Sequence, residues 1–201
     1  MFGSDIPEAW VNYADRSYIT SRLLWFTSLT LDAPVSAHRT MELYQKAYLL
    51  SKGTIIKPGE GAWGHDLSDL GTLCAEHNPA FSDTALVRRI RYFQRYLELV
   101  RYPTSIEGKL TDGTGIWFSF DSVIIPLDEV VAFIRPRIVL TDDTWRKSWL
   151  TFVYQSPDPR WSHQREALTD QNSQIDKVVC MSTNDSKVEF NSAFHFDLPG
   201  C

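Results

Sequence analysis

Apolar side chains recur at helical intervals through the middle of the chain. Ala37, Met41, Tyr44, Tyr48 and Ser51 are separated by alternating steps of four and three, and Leu43, Ala47 and Leu50 widen the stripe. This spacing predicts a helix with a broad buried face, closed by Gly53. Leu67, Leu70, Cys74 and His77 repeat the step and predict a second helix, each burying its stripe on the other. His65 and Asp66 stand at its start, and Asn78-Pro79 at its end. Leu86, Ile90, Phe93, Leu97 and Val100 form the most regular seam in the chain, with a start near Ser82 and Asp83 in the capping region.

Upstream, Ala14, Tyr18 and Trp25, with Ile19, Leu23, Phe26 and Thr30, predict a helix over 13–31 that is apolar around more than half its circumference. Such a helix packs on two neighbours or on a second subunit. Asp32 to Pro34 break it, and Ser36 is placed to cap the central helix. After Pro103 the pattern shifts to period two, and the turn Asp112-Gly113-Thr114-Gly115 predicts a β-hairpin at about 105–120. Pro126 then opens a fifth helix carrying Val130, Val131, Phe133 and Ile134. Beyond it, Trp145, Trp149 and Phe152 share one helical face, a short helix fits 162–168, and short strands fit 178–181 and 188–190. His77 lies on the apolar side of its helix and reads as a hydrogen-bonded core histidine.

The chain of 201 residues, 43% of them hydrophobic, has room for one core and an appended piece. The division read here is a helical bundle over 1–140 and a C-terminal extension over 141–201 packed on it. A net charge of −5 argues against wholesale coating of nucleic acid but leaves room for a local basic patch. Cys74, Cys180 and Cys201 have neither a CxxC pairing nor metal-ligand spacing, so no metal and no cofactor is expected. The first residues show no signal peptide and no apolar run reaches membrane-spanning length, so a soluble cytoplasmic protein is the expectation. The seven tryptophans serve core and interface packing or, alternatively, base stacking.

Two stretches carry candidate chemistry. Gly59, Gly61 and Gly64 spell a G-x-G-x-x-G before a helix, but both flanking elements read as helices and no βαβ unit surrounds them. A dinucleotide fold is therefore rejected, leaving a loop able to close over an anion. On the helix after Asp83, Arg88, Arg91 and Arg95 fall in one stripe away from the apolar seam. They either pair with carboxylates of a neighbouring element or form a phosphate-binding line, since a guanidinium fork matches phosphate oxygens.

The run MELYQKAYLLSKG, the following GHDLSDL and the basic helix ending VRYP resemble the HEPN (higher eukaryotes and prokaryotes nucleotide-binding) superfamily over roughly residues 10–140. The resemblance implies an all-α antiparallel bundle of five to six helices, here with a hairpin insertion and an extension. It also implies a homodimer, or a place beside a nucleotidyltransferase-type partner, and a nucleotide or RNA ligand. Ribonucleases of this family use an Arg followed four to six positions later by His, with Arg stabilising the phosphorane and His moving the proton. No histidine here has an arginine at that distance upstream, so no catalytic residue is assigned. His65 and Asp66 match the segment where non-ribonuclease members place a His followed by an acid; they line a pocket or simply cap the helix. The leading expectation is a non-catalytic module in which Arg88, Arg91 and Arg95 contact phosphates and His65 and Asp66 shape the pocket. The alternatives are a structural interaction domain and a metal-independent ribonuclease with a displaced catalytic pair.

Overall fold

The computed structural model describes residues 6–55, 65–101 and 118–179, and all regular structure among them is helical. Helix α1 (Pro7–Phe26) and α2 (Asp32–Ser51) form an antiparallel pair. Then come α3 (Leu67–His77), α4 (Thr84–Arg101) and α5 (Phe120–Ile134). Four short helices follow: α6 (Asp142–Arg146), α7 (Trp149–Gln155), α8 (Ser162–Thr169) and α9 (Ile175–Val179).

Helix α2 is the axis of the bundle, in contact with α1, α3, α4 and α5. It is buried almost all round because its apolar stripe is wide: Ala37, Met41, Tyr44, Ala47, Tyr48 and Leu49 are each 0–1% exposed. Its end follows the sequence reading. Gly53 adopts φ +80, and the Gly53 and Thr54 amides turn back to the carbonyls of Leu50 and Leu49. On α4, Leu86, Ile90 and Phe93 are buried, and Asp83 accepts the amides of Ala85 and Leu86 at the helix start. Among the described residues, no helix is long and apolar enough to cross a membrane.

Several expectations are corrected. The first helix begins at Pro7, where a missing N–H costs nothing, and ends at Phe26, not Leu31. Pro34 does not break the chain but sits in the first turn of α2, and Ser28, at φ 65, turns the chain between the two helices. The fifth helix opens at Phe120 rather than Pro126. Ser119 and Ser122 exchange side-chain-to-amide hydrogen bonds at its start, and Val123, Ile124 and Leu127 are fully buried around Pro126. Of the proposed hairpin, Phe118 and Ser119 are described and form no strand and Phe120 is helical, while 105–117 lies outside the described residues. Trp145 and Trp149 belong to separate helices, because Ser148 caps α7. Val178 is helical rather than extended; the other strand, at 188–190, lies outside the described residues. His77 is hydrogen-bonded, at 2.9 Å from the Thr54 hydroxyl, but exposed and not in the core.

Helices α6 to α9 join the bundle through buried arginines. Arg135, just past α5, sets its guanidinium on Asp15 of α1 at 3.0 and 3.3 Å, and also donates to Ser148 Oγ and the Val178 carbonyl. Asp15 further accepts the Tyr44 hydroxyl and the Leu150 amide. Arg22 of α1 pairs with Asp128 of α5 and donates to the carbonyls of Ala167 and Asp170. Tyr18 donates to Asp128 at 2.7 Å and accepts from Asn172.

Truncating one partner of a buried pair leaves the other charge without compensation. Arg135→Leu is expected to lower unfolding stability by about 3–5 kcal/mol, read from the urea midpoint at constant slope. A loss below about 1 kcal/mol would show that Asp15 finds other compensation.

Candidate functional site

Glu42 and Lys46 lie one turn apart on α2 and form an ion pair of 2.5 Å, although each is less than 8% exposed. The Trp10 ring of α1 stands 5.7 Å from the Lys46 ammonium and helps to cover it. The second Glu42 oxygen takes His65 Nδ1 at 2.9 Å, while the His65 side chain remains 64% exposed. Burial alone would raise the Glu42 carboxyl, but hydrogen bonds from Lys46 and His65 outweigh it and hold the carboxyl below its usual value.

The start of α3 is closed from within. Asp66 Oδ1 accepts the amides of Ser68 and Asp69, at 2.8 and 3.0 Å. The Leu67 amide is taken by the side-chain carbonyl of Gln94 on α4, at 2.9 Å. His38 Nε2 stands 3.4 Å from that same oxygen, and the Gln45 amide donates to the Leu67 carbonyl. The helix amides that would grip an anion at this end are therefore already occupied by side chains.

The arginines of α4 divide by face. Arg89 points inward, 1% exposed, and pairs with Glu129 of α5 at 2.5 Å while donating to the Ala85 carbonyl. Arg88, Arg91 and Arg95 are exposed. Among the described residues, neither Arg88 nor Arg91 forms an ion pair. Arg91 borders a cleft of about 230 Å³ between α3 and α4. The α3 wall is Ser68, Gly71, Thr72 and Ala75; Val87 and Ile90 face it from α4. Phe81 and Ser82, in the connecting turn, close one end.

The structure thus brings the candidate residues to one seam without merging them. Ser68, two residues after Asp66, lines the cleft with Arg91, and Gln94 ties α4 to the first residue of α3. Asp66 is committed to the helix start and His65 to Glu42. The glycines 59, 61 and 64 lie outside the described residues. Sequence reasoning missed Glu42, Lys46 and Gln94. The available signal was a charged pair four residues apart inside a helix whose flanking positions are apolar on nearly every side.

An all-helical bundle with a basic fourth helix defines the class of protein. Within that class, comparison with known protein families matches residues 7–115 to the HEPN domain, and the chain belongs to this family. Comparison with curated proteins and with solved structures gives no match.

The Glu42 cluster has a pH signature. A carboxyl held lower in the folded chain adds stability that is present above its unfolded value of about 4.5 and is lost as pH falls through the folded one. Glu42→Gln removes that contribution and strands Lys46, at a cost of about 1–3 kcal/mol at neutral pH. In urea titrations, the gap between wild type and variant is expected to narrow from about pH 6 to about pH 3. A constant gap would mean that the carboxylate is not preferentially charged in the folded chain.

Proposed function

We propose that this HEPN domain is a non-catalytic module that binds the phosphates of a nucleotide or nucleic acid through Arg88, Arg91 and Arg95. The observation that carries the reading is the contrast within α4: Arg89 is buried against Glu129, whereas Arg88 and Arg91 are exposed with no ion pair among the described residues. Guanidinium groups left facing solvent on one side of a net-acidic chain form a local anion site. His65 and Asp66 shape the neighbouring end of α3 and do not touch the reacting atoms of any substrate in this reading. The working unit is residues 1–140 as the binding module, with 141–201 as a supporting extension, acting as a homodimer or beside a nucleotidyltransferase-type partner. No cofactor enters the reading.

The test is anisotropy with a labelled short RNA and with a labelled ATP analogue at two salt concentrations. Three phosphate contacts on a single strand give an expected log–log salt slope of about −2, and Arg88→Ala/Arg91→Ala/Arg95→Ala should weaken binding by about tenfold or more. Wild-type protein that binds neither ligand at low salt would favour a purely structural interaction domain. RNA cut in the presence of EDTA, with the cutting lost in His65→Ala, would overturn the non-catalytic half.

A further inference from the structure

We infer that the α3–α4 cleft seats a small ring-bearing phosphate, with the flat apolar ring between the helices and the phosphate on Arg91. This deepens, and rests on, the reading of the α4 arginines as a phosphate site. The cleft has two chemically distinct parts. Its floor is apolar, made by Phe81 at 1% exposure, Ile90 at 2% and the half-buried Val87. Its rim carries one charged side chain, Arg91, and no carboxylate among the described lining residues.

The polar groups beside Arg91 suit a phosphate. Ser68 and Ser82 have hydroxyls that form no hydrogen bond among the described residues, whereas Thr72 is already bonded to the Ser68 carbonyl at 3.0 Å. A phosphate on Arg91 therefore meets hydroxyl donors rather than like charge. Size limits the apolar part. A volume of about 230 Å³ falls below the roughly 300–1,000 Å³ of sites that enclose drug-sized ligands, so it holds one ring and not an extended molecule. Gly71 lines the α3 side, where a Cβ would stand 3.7 Å from Ile90 Cδ1 and so narrow the cleft. The ring can belong to a free small molecule or to one unit of a strand.

The experiment titrates the full chain with phenyl phosphate and with inorganic phosphate, following backbone amide resonances. Phenyl phosphate is expected to bind about tenfold more tightly than inorganic phosphate, the gain expected from burying one ring, with shifts over Ser68–Ala75 and Val87–Arg91. Ala75→Phe fills the cleft and should abolish that advantage while leaving inorganic phosphate on the arginines. Thr72→Phe, at an exposed position, does the same if Ala75→Phe fails to fold. Equal affinity for the two phosphates, or an advantage untouched by a folded filling variant, overturns the inference. In that case, RNA binding that still needs the α4 arginines leaves the phosphate reading standing, whereas loss of all anion binding removes both. Short-RNA binding weakened by the folded filling variant supports a ring carried on a strand, and short-RNA binding unaffected by it supports a free small molecule.

Discussion

Three guanidinium groups taken almost wholly out of water decide how this bundle is assembled. Arg22, Arg89 and Arg135 are each no more than 1% exposed, and each meets one carboxylate: Asp128, Glu129 and Asp15. Removing an ion from water costs several kcal/mol, so each pair is tolerated only where further hydrogen bonds complete it. They do. Asp15 takes the Tyr44 hydroxyl and the Leu150 amide besides Arg135, and burial keeps the Tyr44 phenol protonated as a donor. Burial pushes the Asp128 carboxyl up to about 6 even with Arg22 and Tyr18 donating to it, which shows how strongly desolvation opposes the pair. An apolar core would tolerate small slips of one helix along another, but these pairs do not. The partners lie on α1, α4, α5 and the turn just after α5, so the pairs fix which faces of those helices meet.

The same constraint explains how the last four helices hold their shape. They contain 5, 7, 8 and 5 residues, whereas an isolated helix in water needs about 12–15 to be even marginal. Tertiary contacts must supply what propagation cannot. Arg22 takes up the carbonyls of Ala167 and Asp170 at the end of α8, and Arg135 takes that of Val178 in α9. Free carbonyls at short helix ends are costly when covered, so the arginines satisfy them and anchor the segment together. Trp145 adds its ring 4.5 Å from the Arg135 guanidinium. The ion pairs among the long helices and the docking of these four short ones therefore depend on the same side chains.

How far these features could be read beforehand follows from range. The seam Leu86, Ile90 and Phe93, the caps Asp66 and Asp83, and Gly53 at the end of α2 are local matters of period and hydrogen-bond chemistry, and all were legible. Helix α5 was misplaced because a proline usually opens a helix, yet here packing around Pro126 outweighs the lost hydrogen bond. The serine pair that caps it lacks the acidic or amide side chain by which such a box is usually seen. The ion pairs were not legible at all. Arg22 and Asp128 are 106 residues apart, and an arginine in a sequence carries no mark of whether it will face water. For the candidate site, the stripe of Arg88, Arg91 and Arg95 was legible from helical geometry, but Glu42 was hidden among the apolar positions of α2.

Electrostatics then places any anion. A helix start attracts phosphate only when its amides are open. At α3, Asp66 and Gln94 occupy the Leu67, Ser68 and Asp69 amides, and Asp69 adds a further carboxylate in the first turn. Lys46 offsets Glu42 at a distance of 2.5 Å, leaving no surplus positive charge beneath that end. A phosphate arriving there would face carboxylates and no unused backbone donor. One turn along the same seam the balance reverses. Arg91 stands at the surface beside hydroxyls, and Arg88 and Arg95 lie on its side of the helix. The proposed phosphate reading therefore rests on the side chains of α4 and not on the backbone at the start of α3.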